Sequence, residues 1–189
     1  IFDFIKSNIL FPTLLYDLIS KKANRIINFG SMMQHDAGKE FQSKNLYSAT
    51  KNAFEMISNF YKHKEKSTKF YNLKLYESFG ENDNRKKLIP TIIRNYKKRK
   101  TTVILSKNLE LNIIHVDDII KALNILLNNN IKPGSYCLKN NKNIKISNLI
   151  NNFNRKLERK IKVKYLRKSV KKISTSKIKK LPKWKPDNQ

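Results

Sequence analysis

The fold of this chain is decided by residues 24–31, NRIINFGS, and by the segment that starts near residue 44. The first stretch is a short apolar run closed by glycine and serine, which is typical of a buried strand with small polar groups at its end. From about residue 44 to residue 66, apolar residues recur at helical spacing. A buried strand followed by a long helix is the repeating unit of parallel α/β proteins, whose ligand sites lie at the carboxyl ends of the strands.

The same alternation continues along the chain. Apolar residues at helical spacing predict one core-facing helix over roughly the first twenty residues, with a bend at Pro12. Its core-facing positions are expected to be Phe4, Ile5, Ile9, Leu10, Leu14, Leu15, Leu18 and Ile19, and those of the helix at 44–66 to be Leu46, Ala49, Ala53, Phe54, Ile57 and Phe60. Further patterns predict strands at 70–76, 101–106, 110–115 and 135–138 and helices at 87–98, 117–127 and 147–157. The expected fold class is α/β, with a doubly wound parallel sheet.

The chain is strongly basic. Its 189 residues include 41 Lys and Arg against 14 Asp and Glu, which gives a formal net charge of +27. Such a balance can indicate binding to nucleic acid or to an anionic membrane surface. However, only seven of the basic residues are Arg, and the Lys excess runs along the whole chain, as AT-rich codon usage would produce. Because Arg is preferred for bidentate phosphate and base contacts, a nucleic-acid-binding module is the disfavoured alternative.

Cysteine usage and the N-terminal segment bear on the location of the protein. Cys137 is the only cysteine, which excludes an intramolecular disulfide and fits a reducing, cytoplasmic setting. No spacing of Cys and His residues predicts a zinc site, so no metal is expected. Asp3, Lys6 and Asp17 interrupt the apolar N-terminal stretch, and we therefore expect no membrane span there.

Tyr47 and Lys51 form the strongest candidate for chemistry. At i and i+4 of a helix they lie one turn apart, so the ammonium group can stabilise a phenolate and make Tyr47 a proton donor or acceptor. Ser31, at the end of the first predicted strand, could hydrogen-bond the same substrate oxygen. Tyr96 and Lys100 repeat the spacing but end a short basic helix, and only the first pair follows a strand that ends in glycine and serine.

Five segments carry a resemblance to a known family. FGSMMQH at 29–35 and NLYSATKNAFE at 45–55 resemble the active-site strand and helix of extended short-chain dehydrogenases/reductases of the NAD-dependent epimerase/dehydratase family. Ser31, Tyr47 and Lys51 match the catalytic triad of that family. LKLYESFGENDNRKKLIP at 73–90, IIHVDDI at 113–119 and LPKWKP at 181–186 follow in the family's order.

The resemblance implies a fold, a cofactor and a substrate class. It implies a Rossmann-like sheet, with residues 1–85 as the C-terminal part of the dinucleotide domain and 86–189 as a small substrate-binding lobe. The cofactor would be NAD or NADP, bound by Tyr47, Lys51, Tyr76, Ser78 and Phe79. The substrate would be a nucleotide-diphosphate sugar, bound by Met32, Gln34, His35, Glu77 and Arg85. A homodimer is typical of the family, and His115, Asp117 and Asp118 would shape the pocket and cap a helix instead of binding a metal.

Within the family, the segments GSMMQH, LYSATK and ENDNRKKLI most resemble the CDP-abequose synthase type of nucleotide-sugar 4-ketoreductase, which serves surface polysaccharide biosynthesis. Lys74 and Glu77 stand where the family commonly has Arg-x-x-Asn, and Leu111 stands in place of an epimerase-like Arg. These departures disfavour epimerase activity. Epimerase or dehydratase activity is the alternative to reduction. A carboxylate at Glu77 would lie near the substrate diphosphate, and Arg85 and Lys86 are the expected compensating cations.

A glycine-rich phosphate loop is missing from the sequence. None of its four glycines falls in a GxGxxG or GxxGxxG pattern, which the dinucleotide pyrophosphate needs at a helix N-terminus. In the family this loop belongs to the first strand-helix unit, so the resemblance implies an N-terminally truncated chain that lacks roughly the first third of the domain. A catalytically inactive remnant is therefore a second hypothesis. The residue that selects NAD or NADP is missing as well.

Overall fold

The computed structural model describes residues 1–34, 43–167 and 178–187. The chain divides into two compact units. The first comprises Ile1–Tyr76, Lys121–Leu138 and Ser174–Trp184, and the second comprises Glu77–Ile120, Lys139–Ile173 and Lys185–Gln189. The assignment of residues 1–85 and 86–189 to a dinucleotide domain and a substrate-binding lobe stays a prediction, because these units are defined by compactness alone.

Helices and strands alternate as the sequence predicts. The helices are α1 (Phe2–Ile5), α2 (Phe11–Ile19), α3 (Leu46–Lys64), α4 (Leu88–Lys97), α5 (Val116–Asn128) and α6 (Ile146–Asn154). The strands are β1 (Arg25–Ser31), β2 (Lys69–Leu75), β3 (Glu77–Phe79), β4 (Thr102–Ile104), β5 (Glu110–Leu111), β6 (Ile113–His115), β7 (Gly134–Leu138), β8 (Ile144–Lys145) and β9 (Val163–Tyr165). The mixed α/β class is therefore confirmed.

A three-stranded parallel sheet organises the first unit. Its strand order is β1-β2-β7, and Ser31 is aligned with Leu75, which in turn is aligned with Leu138. The middle strand is buried over five consecutive residues, and Leu73 at its centre is fully buried. Because the strands are parallel, Ser31 and the end of β2 lie at the same carboxyl edge of the sheet, where α/β proteins bind ligands.

Aromatic packing joins α2 and α3 to this sheet. The core cluster consists of Tyr16, Ile26, Phe54, Tyr61 and Phe70. The Tyr16 ring meets the Phe54 ring edge-on at a centroid distance of 5.1 Å, a geometry that aromatic pairs favour. This contact sets the position of α3, the helix that carries Tyr47 and Lys51.

The N-terminal helix differs from its prediction in two ways. A π-helical segment, Lys6–Leu10, separates α1 from α2 just before Pro12, whose ring nitrogen cannot donate a hydrogen bond to the preceding turn. The expectation of a core-facing stripe is wrong for most of its members, since Leu10, Leu14 and Leu18 are 50%, 57% and 70% exposed. The side that packs instead carries Tyr16 and, just after the helix, Ser20, so the apolar spacing predicted the wrong side of the helix.

The stripe predicted for α3 is also only partly correct. Phe54 is buried and Ile57 packs against the same cluster, but Phe60 is 59% exposed. The buried face of α3 instead includes three small polar side chains, those of Ser48, Thr50 and Ser58. Because polar residues occupy part of the packed face, the predicted apolar stripe is rotated by part of a helical turn from the face that is buried.

The second unit contains short strand pairs around an aliphatic core. Strands β3 and β6 are parallel, β4 and β9 are parallel, and β5 and β8 are antiparallel. The core residues are Ile89, Ile92, Ile104, Ile146, Leu149, Ile150 and Ile161. The strand predicted at 110–115 is broken at Asn112, because its buried side chain accepts a hydrogen bond from the Asn140 backbone and donates to the Asn143 side chain.

Candidate active site

Ser31 ends β1 at the carboxyl edge of the sheet. Its backbone N–H donates a hydrogen bond to Gln34 Oε1 at 2.6 Å, and its hydroxyl oxygen accepts one from the Met33 backbone at 3.2 Å. Gly30 precedes it, and a Cβ at that position would lie 2.5 Å from Gln34 Oε1 and 2.9 Å from Asn72 Oδ1. The glycine is therefore required by close approach of neighbouring side chains, and the turn after β1 is tightly packed.

The start of α3 places Tyr47 and Lys51. Asn45 caps this helix, because its side chain accepts a hydrogen bond from the Ser48 backbone at 2.9 Å. Tyr47 is half-buried in the first turn. Lys51 follows one turn later, and its Nζ donates to the Phe29 carbonyl oxygen of β1 at 3.3 Å. Burial lowers the pKa of Lys51 from its ordinary value, since it disfavours the charged form.

These contacts bring part of the predicted triad together. Lys51 reaches β1 two residues before Ser31, and the Gln34 amide bridges the Ser31 backbone and the Lys51 carbonyl oxygen, the latter at 3.3 Å. Tyr47 lies one helical turn from Lys51 and meets the Phe4 ring edge-on at 6.1 Å. Within the described residues, the Tyr47 hydroxyl and the Ser31 hydroxyl do not hydrogen-bond each other.

The second Tyr and Lys pair has a different geometry. Helix α4 ends at Lys97, and Arg99 has a φ of 56°, in the left-handed region. Lys100 therefore lies beyond the end of the helix and does not share a helical face with Tyr96. The Tyr96 ring instead lies 5.0 Å from the Arg159 guanidinium carbon. The end of α4 thus distinguishes Tyr96 and Lys100 from Tyr47 and Lys51, which lie in one continuous helix.

A buried charged cluster adjoins Gln34, and the sequence analysis missed it. Lys74 is 2% exposed and its Nζ lies 2.8 Å from Glu55 Oε2. Glu55 also accepts hydrogen bonds from Gln34 Nε2 at 2.7 Å and from Asn72 Nδ2 at 2.9 Å. Two signals could have revealed it: Glu55 falls four residues after Lys51, and Asn72 and Lys74 are alternating polar residues in an otherwise apolar strand.

Comparison with known proteins identifies the family of this chain. The model of the NAD dependent epimerase/dehydratase family matches residues 2–138, which is more than half of the chain. The chain belongs to this family. The matched range includes the strand that ends in Ser31 and the helix that carries Tyr47 and Lys51, so the family resemblance inferred from the sequence is confirmed.

Two curated relatives of this epimerase/dehydratase family member are both named CDP-abequose synthase. The relative from Yersinia pseudotuberculosis is 28% identical over 121 residues, which is 63% of this chain and 42% of the relative. The relative from Salmonella muenchen is 25% identical over 131 residues, which is 69% of this chain and 45% of the relative. The matched region thus spans less than half of either relative.

Solved structures show the fold of the family member. A UDP-N-acetylglucosamine 4-epimerase from Methanobrevibacter ruminantium M1 superposes with a TM-score of 0.78 at 20% identity, covering 97% of this chain and 64% of that one. A dTDP-glucose 4,6-dehydratase from Bacillus anthracis, solved with NAD, gives a TM-score of 0.77 at 18% identity, covering 98% and 64%. At these identities the likeness establishes a Rossmann-like fold, as the sequence predicts.

The remaining predicted site residues of this epimerase/dehydratase family member fall in two groups. Ser31, Met32, Gln34, Tyr47, Lys51 and Tyr76 lie in the first compact unit, and Glu77, Ser78, Phe79 and Arg85 lie in the second. Met32 and Gln34 are buried, and Gln34 has protein partners at both ends of its amide. Their contact with substrate stays a prediction. His35 lies outside the described residues.

Charge compensation at Glu77 differs from the expectation. Its Oε1 lies 3.5 Å from Lys87 Nζ, whereas Arg85 binds Asp83 and donates to the Ser78 carbonyl oxygen at 2.9 Å. The Arg85 hydrogen bonds outweigh partial burial and lower the pKa of Asp83 to about 2. Lys87, one residue beyond the predicted Lys86, is therefore the cation next to Glu77, because Arg85 is held by Asp83.

His115 and the acidic residues after it do not form a metal site. The His115 ring meets the Phe79 ring edge-on at 5.1 Å, and both residues line a cavity of about 630 Å³ together with Asp83, Ile93 and Arg94. The expectation that Asp117 or Asp118 caps a helix is wrong, since α5 already begins at Val116. Among residues 1–34, 43–167 and 178–187, no cluster of three His, Cys, Asp or Glu side chains could bind a metal ion.

Two further features concern the whole described chain. No helix in the part that the structure describes is both long and apolar enough to cross a bilayer. Cys137 is buried in β7, and its thiol donates a hydrogen bond to the Ile178 carbonyl oxygen at 3.3 Å.

Proposed function

We propose that this chain carries the proton-transfer machinery of an NAD(P)-dependent reductase acting at C4 of a nucleotide-activated deoxysugar. The observation that carries the proposal is the placement of Tyr47 and Lys51 on α3, with Lys51 Nζ 3.3 Å from the carbonyl oxygen of Phe29, two residues before Ser31. Tyr47 gives a proton to the carbonyl oxygen as it becomes an alcohol. The Lys51 ammonium stabilises the resulting phenolate, and the Ser31 hydroxyl orients the same oxygen.

NAD or NADP is the proposed cofactor, and it supplies the hydride. The described residues fit the nicotinamide-ribose end, because the partly buried Lys51 ammonium beside Tyr47 is suited to hydroxyl groups of a ribose. Tyr76, Ser78 and Phe79 are proposed to border the nicotinamide. The four glycines of the chain form no dinucleotide fingerprint, so the residues proposed here account for this end of the cofactor alone.

The choice of a 4-ketoreductase over an epimerase or dehydratase rests on two supports. Both curated relatives are named CDP-abequose synthase. In addition, Leu111 stands where the resembled family has an epimerase-like Arg. The family as a whole includes epimerases and dehydratases, so one of these activities is the second candidate. The proposed substrate is a nucleotide-diphosphate sugar with a 4-keto group.

Product analysis distinguishes these activities. The purified protein translated from its complete reading frame would be mixed with NADH or NADPH and a CDP-4-keto-deoxysugar, and A340 and the sugar NMR spectrum would be recorded. We expect stoichiometric loss of absorbance and a new C4 alcohol. A parallel reaction would contain NAD⁺ and a nucleotide sugar with a C4 hydroxyl. Interconversion of its C4 epimers without net formation of NADH would indicate an epimerase, and loss of water from it with catalytic NAD⁺ would indicate a dehydratase. Absence of both dinucleotide binding and turnover would favour an inactive remnant.

A homodimer in the cytoplasm completes the proposal. Leu14 and Leu18 of α2 are 57% and 70% exposed, and Met56 and Phe60 of α3 are 62% and 59% exposed, an unusual amount of apolar surface for two neighbouring helices. We propose that a second copy of the chain covers them. Sedimentation equilibrium should give a dimer for the native protein and a monomer for Leu18→Lys, while Lys22→Leu, a control just after the helix, should leave the mass unchanged.

A further inference from the structure

The partly buried carboxylate of Glu55 takes no part in the reaction proposed above. It lies one turn after Lys51 on α3, and its side chain is 13% exposed. Its Oε2 accepts from Lys74 Nζ at 2.8 Å and from Gln34 Nε2 at 2.7 Å, and its Oε1 accepts from Asn72 Nδ2 at 2.9 Å. Three donors from three separate segments therefore converge on one carboxylate.

The Gln34 side chain connects this carboxylate to Ser31. Gln34 is 1% exposed, and its amide has a donor end and an acceptor end of nearly the same shape. Glu55, as an ionised carboxylate, can only accept hydrogen bonds, so it fixes the donor end toward itself. The acceptor end then receives the Ser31 N–H at 2.6 Å, and the second amide hydrogen reaches the Lys51 carbonyl oxygen at 3.3 Å.

We propose that Glu55 is a positioning residue for Ser31. It acts by fixing the orientation of the Gln34 amide, which holds the end of β1 against the turn of α3 that carries Lys51. This inference rests on the proposed function in one respect, namely that Ser31 and Lys51 belong to the reacting site. The Lys74 ammonium, 2.8 Å from Glu55 Oε2, is the countercharge of this carboxylate.

Close packing at Gly30 supports a dedicated role for Gln34. A Cβ on Gly30 would lie 2.5 Å from Gln34 Oε1, closer than any ordinary contact. The carboxamide oxygen thus occupies the space where a side chain would stand, directly against the backbone that leads into Ser31. Asn72 Oδ1, 2.9 Å from the same point, closes the opposite side and accepts from Asn28 Nδ2 at 3.1 Å.

A purely structural role makes a different prediction from a positioning role. If the cluster only stabilises the core, then Glu55→Gln should lower the melting temperature without a local change at Ser31. If Glu55 positions Ser31, the neutral amide at residue 55 can donate as well as accept, so the Gln34 amide can turn over and its oxygen is no longer held on the Ser31 N–H. Ser31 then becomes the most affected backbone group.

Amide hydrogen exchange measured by NMR distinguishes a structural role of Glu55 from a positioning role. In Glu55→Gln the exchange rate of the Ser31 amide, taken relative to that of Leu73 in the sheet, should rise about tenfold over the native protein, as expected for loss of one hydrogen bond. Glu65→Gln, which removes a carboxylate at the end of the same helix, is the matched control and should change neither amide. Because Glu55→Gln leaves Lys74 buried without its countercharge, the double variant Glu55→Gln with Lys74→Met is measured in parallel.

Kinetics provide the second measurement. With the 4-keto nucleotide sugar, both Glu55→Gln variants should show a kcat lowered at least about tenfold and a KM for NAD(P)H within about twofold of native, since Ser31 acts on the reacting oxygen. Unchanged exchange at Ser31, or native kcat, in a folded double variant would overturn the inference. If the native protein shows no turnover, the proposed function fails, and the exchange measurement still decides the role of Glu55.

Discussion

Replacing Tyr47 by Phe should lower kcat by at least about a hundredfold, because a positioned acid or base contributes roughly 10²–10⁴ to the rate of proton transfer. The substitution removes one oxygen atom and leaves the aromatic ring. The edge-on contact with Phe4 at 6.1 Å should therefore persist, and the melting temperature should stay close to native. The measurement is single-turnover oxidation of NAD(P)H with the 4-keto nucleotide sugar, which isolates the chemical step from product release.

Tyr96→Phe is the matched control for this experiment. Tyr96 belongs to the same Tyr-x-x-x-Lys spacing, but its lysine lies past the end of α4. The variant loses a hydroxyl of the same kind and keeps the ring that faces Arg159. We expect native kcat for Tyr96→Phe. A rate within about twofold of native for Tyr47→Phe, or equal losses in both variants, would remove Tyr47 from the proposed mechanism.

The two Tyr and Lys pairs show which features of the fold and site could be predicted from the sequence. Strands β1 and β2 could be predicted because each is a run too short for a typical helix and bounded by residues that favour turns. The helical face shared by Tyr47 and Lys51 followed from spacing, since α3 continues unbroken to Lys64. Spacing gave no reason to expect that α4 would end before Lys100, because this depends on the left-handed backbone at Arg99.

Other features depend on contacts between distant segments and could not be predicted. Glu55 meets Gln34 and Lys74 only because α3 packs on a sheet in which β1 and β2 are neighbours. The exposure of Leu18 could not be predicted either, because the side of the helix that packs carries Tyr16 and Ser20 and is not the most apolar one. The prediction of the cation next to Glu77 was wrong because Asp83, two residues before Arg85, binds the Arg85 guanidinium.

Lys74→Met should reduce the free energy of unfolding by about 3–5 kcal/mol, the usual cost of removing one partner from a buried ion pair. Lys74 is 2% exposed in the central strand of the sheet, so water cannot replace its ammonium group beside Glu55. Methionine keeps the length and much of the volume of lysine, which confines the effect to charge and hydrogen bonding. Urea denaturation, followed by circular dichroism, measures the change.

Two comparison variants separate this charge effect from loss of packing. Lys69→Met alters the same residue type in the same strand, but the Lys69 ammonium is exposed and donates to the neutral Asn130 side chain at 3.3 Å, so we expect a change within about 0.5 kcal/mol. Adding Glu55→Gln to Lys74→Met removes the carboxylate charge that Lys74 faced and should recover more than half of the lost stability. Such recovery would mean that the loss in Lys74→Met comes from the charges of the pair and not from packing. If Lys74→Met alone were as stable as the native protein, the ion pair would contribute nothing measurable to folding, and this prediction would be wrong.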